Sequence, residues 1–298
     1  MILESVNNGF IYYNNNQVIH TKVYYDYCVN LLISWLNNSG EYVNIIFGDY
    51  DINLNNNFKV IRLDIQVEHT LVKDGGRGIN ERIYGTTNTD NGDLYLVRID
   101  KFKYYNSLDY VIEYSYPNTH NIKSSGYFSE FSSKIINISP LIYEPNFDNI
   151  NKVSTITLFT ENSSQRRDNI TKELDDKSVE YINIVNCFSY NDLVNQYSNT
   201  KIMVNVHQTD HHHTFEELRV LPALINGVII ISENVPLKEH IPYNEFIIWC
   251  EYDKLVDTII DVQKNYVSYS DKLFNNELNS LLLTLKETNY KNLNLLNK

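Results

Sequence analysis

Lys201-Ile202-Met203-Val204-Asn205-Val206, His207-Gln208-Thr209-Asp210-His211-His212-His213, Thr214-Phe215-Glu216-Glu217 and Val228-Ile229-Ile230-Ile231-Ser232-Glu233 read, in that order, as strand, loop, helix start and strand. Both apolar runs have the uninterrupted character of strands buried on two faces, as in a parallel sheet. Between them Phe215, Leu218, Leu221, Ala223 and Leu224 give one apolar helical face, and Gly227 ends the helix. Thr214 is placed as its N-cap, with Glu217 completing a capping box. The helix therefore starts just past the carboxyl end of a parallel strand, where open α/β sheets bind ligands. Its free N–H groups and positive dipole end suit a phosphate, and Arg219 lies one turn in.

The run from Lys201 to Pro236 resembles the donor-binding core of GT-B glycosyltransferases. Upstream, a strand at 155–159, the turn Asn162-Ser163-Ser164-Gln165-Arg166-Arg167 and a helix to Leu174 look like the first strand, turn and helix of the same domain. The resemblance spans roughly 150–265. It implies an α/β chain of two Rossmann-like domains, with parallel sheets facing a cleft. Residues 1–145 would face the acceptor and 146–275 would hold a nucleoside-diphosphate sugar, with a helix over 276–298 crossing back. The donor is then a substrate, and no cofactor is implied. It also implies that an acid near the helix start, Glu216 or Glu217, holds the ribose. Arg219, with Arg166 or Arg167, would hold the diphosphate.

The composition agrees with a soluble globular chain: 298 residues, 43% hydrophobic and 21% charged. A formal charge of −12 and no stripe of Lys or Arg argue against nucleic acid and anionic membrane surfaces as partners. Cys28, Cys187 and Cys250 stand in apolar contexts without metal spacing, as core residues of a reducing, cytoplasmic compartment. No apolar run approaches the about 18 residues of a membrane span. The first ten residues lack a signal-peptide core. The Asn runs point to an AT-rich genome, viral or bacterial. Oligomeric state is not legible.

Along the chain, 9–20 reads as a hairpin, 24–35 as a helix, and 42–48, 58–66, 94–99, 110–113 and 135–138 as strands. Tyr114-Ser115-Tyr116-Pro117-Asn118 reads as a turn, and 140–148, with two prolines, as a linker. Strands at 154–159, 180–185 and 245–250 then alternate with helices at 165–174, 189–198 and 253–265, as in a doubly wound sheet. Residues 269–296 read as helical.

Among the candidates, Arg166 and Arg167 occupy a helix's first turn, where cations oppose the dipole unless an anion offsets them. Glu216 and Arg219 stand at i,i+3, the spacing of an ordinary surface pair, so a plain structural role stays open. The tract 210–213 invites a metal, but consecutive loop side chains diverge. His207 and its neighbours are expected instead beside the donor phosphates or acceptor. No chelating carboxylate pair is read, so donor binding is expected to need no metal. Glu68-His69 follows a strand and is the candidate general base, ahead of Asp64, Asp109 and Glu113. The expected activity is transfer of a sugar to an acceptor hydroxyl of a glycan or other small acceptor. A sugar-nucleotide binder without transfer activity and a GT-B-fold epimerase are the alternatives.

Overall fold

The computed structural model describes residues 2–14, 19–40, 42–54, 57–68, 70–73, 83–88, 94–126, 128–147, 152–160, 164–209 and 215–297. The first part of the chain forms β1 (Ile2–Val6), β2 (Gly9–Tyr13), α1 (Lys22–Asn38), β3 (Val43–Phe47), β4 (Lys59–Gln66), β5 (Leu71–Lys73), β6 (Ile83–Asn88) and β7 (Leu94–Ile99). Next come α2 (Phe102–Ser107), β8 (Tyr110–Glu113), α3 (Tyr116–Ser125), α4 (Ser129–Ser132) and β9 (Ile135–Asn137). The second part forms β10 (Ser154–Leu158), α5 (Gln165–Asp176), β11 (Ile182–Asn183), α6 (Tyr190–Asn199), β12 (Thr200–Asn205), α7 (Glu217–Ile225), β13 (Ile229–Glu233) and β14 (Ile248–Cys250). Three helices close the chain: α8 (Leu255–Lys264), α9 (Tyr266–Leu273) and α10 (Asn276–Leu293).

Two parallel sheets organise these elements. The first has the order β1-β2-β3-β4-β8-β9 and is parallel apart from β1 against β2. The second has the order β11-β10-β12-β13-β14 and is parallel throughout. Side-chain alternation along each strand feeds a core on both faces. Ile112 and Ile136 pack with Leu32, Leu36 and Leu293, whereas Val111 and Ile135 pack with Tyr105, Ile122 and Phe131. In the second sheet Met203 and Ile230 join Leu221, Leu224 and Leu282. Ile202, Val204, Ile229 and Ile231 join Leu174, Ile259 and Val262 on the other face.

Helix α10 runs back onto the first sheet. Asn289, fully buried, accepts from the Ser139 N–H at 2.8 Å and donates to the Ser139 carbonyl at 2.9 Å. Asn292 donates to the Asn137 carbonyl at 2.9 Å, and the Tyr110 hydroxyl donates to the Leu295 carbonyl at 2.8 Å. At the end of α7, the Val228 N–H bonds the Ala223 carbonyl and the Gly227 N–H the Leu224 carbonyl. That is a Schellman motif, and it requires a left-handed residue. Gly227 supplies it, with a φ of 67° that carries no Cβ penalty.

Several expectations need correction. The N-terminal hairpin is β1 with β2, turning at Asn7-Asn8, and the 3-10 turn Ile19–Thr21 leads into α1 instead of forming a strand. The first sheet adds its strands in chain order without reversal and inserts an antiparallel sheet, β5-β7-β6, so it departs from a Rossmann-like order. The Tyr-Pro-Asn stretch opens α3: Ser115 caps it by accepting the Asn118 N–H, and Pro117 occupies the first turn, where its missing N–H costs nothing. Helix α7 starts at Glu217 with Glu216 as its capping residue, which makes no side-chain cap bond, and the expected cap Thr214 lies outside the described residues. The C-terminal helical stretch is broken at Asn275, whose side chain caps α10. Of the three free cysteines only Cys28 is buried. No described helix is long and apolar enough to cross a membrane.

Candidate functional site

In the second sheet the chain passes from β10 outward to β11 and then returns to β12 on the opposite side of β10. The strand order therefore reverses between β10 and β12, and the crevice outside the carboxyl ends at such a reversal is the usual ligand position in open α/β sheets. Two arginines meet there. From α7, Arg219 Nη1 donates to the carbonyl of Phe159, just past β10, at 3.4 Å. From α5, Arg167 Nε and Nη2 both donate to the carbonyl of Val206, just past β12, at 3.3 Å. Burial lowers the Arg167 pKa, the Arg219 charge lowers it further, and Glu216 and Glu233 oppose the shift.

Arg166 points elsewhere. Its guanidinium pairs with Glu233 and lies 4.2 Å from the centre of the Tyr252 ring, while its carbonyl accepts from the Tyr252 hydroxyl at 2.7 Å. Glu233 closes β13, is buried, and also accepts the His207 N–H. This carboxylate thus fixes both the arginine and the start of the loop after β12. Its signal in the sequence is a polar Ser232-Glu233 pair ending an all-apolar strand, which marks a sheet's carboxyl edge.

The first sheet presents its carboxyl edge to the same region. Tyr114, directly after β8, has a phenol raised by burial and then by Glu216, Glu113, Glu217 and Glu68. That one ring places acids from both halves around it. Glu68 is exposed, and its main chain is held by Gln66 and Asn118 side chains. Glu217 is turned inward: it is buried, and its Oε2 accepts from the Tyr243 hydroxyl at 2.9 Å. The neighbouring Leu218 packs against the core of the first sheet. Asp109 precedes β8 and so lies at the opposite, amino edge, accepting the Arg62 N–H at 2.8 Å. Asp64 accepts from the Tyr104 hydroxyl at 2.8 Å.

Arg167, Arg219, Glu216 and His207 are thus gathered at one edge, with Arg166 beside them and Glu68 across the seam. His69, Thr214 and the tract 210–213 lie outside the described residues. One motif escaped the sequence reading: Asp49-Tyr50-Asp51 is a D-x-D triplet, exposed at both acids and sited past β3. Among the described residues, no three His, Cys, Asp or Glu side chains are grouped to hold a metal.

No family model matches the chain. An uncharacterized protein of Acanthamoeba polyphaga mimivirus, R358, is 34% identical over 113 residues, which is 37% of this chain and 39% of the viral protein. The GtfA/B complex bound to UDP and GlcNAc overlaps 96% of this chain and 53% of its own, at 10% identity and a TM-score of 0.29. The wall teichoic acid polymerase TagF overlaps 86% and 76%, at 14% identity and the same TM-score of 0.29. At such scores the overlap is slight.

Proposed function

We propose that the chain is a metal-independent glycosyltransferase of the GT-B type, moving a sugar from a nucleoside diphosphate to an acceptor hydroxyl. The observation that carries this reading is the convergence of Arg167 and Arg219 on the crevice between β10 and β12. Two guanidinium groups close enough to repel raise the free energy of the empty site, and a diphosphate between them offsets that repulsion. The same contacts strengthen as charge develops on a departing diphosphate, which is what accelerates transfer.

In this reading Glu216 faces the ribose, and residues 146–275 form the donor domain. Residues 1–145 receive the acceptor, 276–298 tie the two together, and Glu68 or His69 takes the acceptor proton. Domain closure would exclude water from the donor. The free thiols of Cys28, Cys187 and Cys250 suit a reducing cytoplasm.

The test is incubation with a panel of UDP-, GDP-, TDP- and CMP-sugars, with and without acceptors. Acceptor-dependent release of nucleotide supports transfer. A second reading, a sugar-nucleotide binder without transfer, is favoured by the exposure of Glu68, which stands open to solvent. Binding without release selects it, and no binding to any member of the panel removes both.

A further inference from the structure

The starts of β4, β8 and β9 lie side by side at the amino edge of the first sheet. Along the eight residues of β4 that edge is roughly 25 Å from the strand's carboxyl end, at about 3.3 Å per residue. Lys59 and Val60 from β4, Asp109 and Tyr110 at the start of β8, and Ser133 and Lys134 ahead of β9 line a groove of about 390 Å³ there. That volume falls in the range of small-molecule sites.

The polar groups of the groove are only partly used. Lys59 Nζ donates to the Leu296 carbonyl at 3.3 Å, and Lys134 Nζ to the carbonyls of Asn106 and Leu108 at 2.5 and 2.9 Å. An ammonium carries three protons, so among the described residues two remain to Lys59 and one to Lys134. Asp109 Oδ2 accepts the Arg62 N–H at 2.8 Å, which leaves Oδ1 as an acceptor among the described residues. The Tyr110 and Ser133 hydroxyls donate to the Leu295 and Glu130 carbonyls at 2.8 and 2.7 Å, so their oxygens can still accept. A phosphate or carboxylate only accepts, and it would meet the Asp109 charge. A neutral hydroxyl donates and accepts at once, and it matches this mixture.

An aromatic surface adjoins the groove. Val60 stands opposite Asn44, and Asn44 opposite Phe10, so the three side chains share one face of the sheet. Phe58, two residues before Val60, stacks on Phe10 with ring centroids 6.1 Å apart at 18°, and meets Tyr42 at 5.1 Å. Tyr42 is 60% exposed and Val60 38%. The lysines have a structural role in tying α2 and the C-terminal turn, but that role does not account for an open aromatic cluster beside them. A pyranose ring presents a CH-rich face to such a cluster and a rim of hydroxyls to polar neighbours.

We propose that this groove is a second binding site, for a neutral saccharide. Tyr42 and Phe58 form its stacking platform, and Lys59, Asp109 and Lys134 bond the hydroxyls. The site stands at the edge opposite the crevice and does not depend on what the crevice binds.

The experiment is saturation-transfer NMR and titration calorimetry of the full chain with maltotriose, cellotriose and chitotriose, with folding of each variant checked by circular dichroism. At least one trisaccharide should bind. Tyr42→Ala and Asp109→Asn should each weaken it roughly threefold to tenfold, the effect of losing one ring contact or one hydrogen bond. Tyr42→Phe keeps the ring face and should restore the affinity, and Arg219→Ala, at the crevice, should leave it unchanged. Binding of none of the three overturns the proposal, as does binding that neither Tyr42→Ala nor Asp109→Asn weakens. Loss in Arg219→Ala places the sugar in the crevice and overturns it too. Inorganic phosphate is the control: phosphate binding abolished by Lys134→Ala, with no saccharide bound, makes the groove an anion site instead.

Discussion

Arg167 and Arg219 reach one crevice from two different helices, each held by the carbonyl that follows one of the two strands flanking it, Val206 for Arg167 and Phe159 for Arg219. Backbone carbonyls carry only partial charge, and the Arg219 charge still lowers the Arg167 pKa. The pair thus sets two like charges on one crevice, as expected where an anion completes a site.

Arg219→Ala should weaken binding of a nucleoside diphosphate on the order of tenfold or more, because a charge-assisted contact is worth about 1.5–3 kcal/mol. Arg219→Lys should restore only part of it, since an ammonium lacks the planar fork. Titration calorimetry with UDP, GDP and TDP reads this directly. Unchanged affinity in both variants would return Arg219 to a surface role.

Glu233→Ala should act differently. It strips Arg166 of its carboxylate and the His207 N–H of its acceptor. Breaking a largely buried pair leaves an uncompensated charge, with a loss of roughly 3 kcal/mol. Arg166 is partly exposed, with a side chain 22% accessible, so water softens the effect. The expected result is a lower melting temperature together with weaker nucleotide binding. A variant that melts like the wild type would show that Glu233 anchors nothing.

Much of the second sheet is legible in the sequence because β12 and β13 are built on apolar runs and α5 and α6 carry side-chain caps. Ser164 accepts the Arg167 N–H, and Ser189 the Asp192 N–H. Strand order is not legible, since pairing depends on tertiary contacts that a single strand's composition does not encode. That is why the crevice beside β10, and the choice of Arg167 over Arg166 for it, emerge only from the fold. Helix α3 reads as a turn because Tyr-Pro-Asn suits a turn as well as a helix's first turn, and only the preceding Ser115 separates the two. Glu217 reads as a helix-start acid open to ligand. Its burial follows from a neighbour far away in sequence, Tyr243.

Donor binding is expected to survive excess EDTA. Loss of binding, with rescue by Mn²⁺ or Mg²⁺, would overturn metal independence and direct attention to Asp49, Asp51 and the tract 210–213. Melting curves with UDP, recorded with and without EDTA, separate the outcomes. Ligand at 100 times its Kd adds roughly 2.7 kcal/mol to a two-state fold, which is readily seen.

The acid side of the pH range should be governed by His120 and His240. The first lies on α3, the second on the 3-10 turn Lys238–His240, and their rings stack with centroids 3.7 Å apart at an interplanar angle of 20°. Burial lowers the His120 pKa, the His240 charge lowers it further, and Glu239 opposes the shift. The folded state therefore binds fewer protons at His120 than the unfolded chain does. Its stabilising contribution is present above the ordinary histidine value of about 6.5 and is lost as the pH falls from there through the lowered folded value. The melting temperature should accordingly drop between about pH 7 and 5.5, as His120 takes up a proton that burial and its histidine neighbour disfavour. His240→Gln removes that like charge while keeping a polar planar side chain. It should make this acid limb shallower, leaving the part that burial sets, and keep the melting temperature near pH 7.5 within a few degrees. A variant that loses stability on acidification as steeply as the wild type would place the acid sensitivity elsewhere.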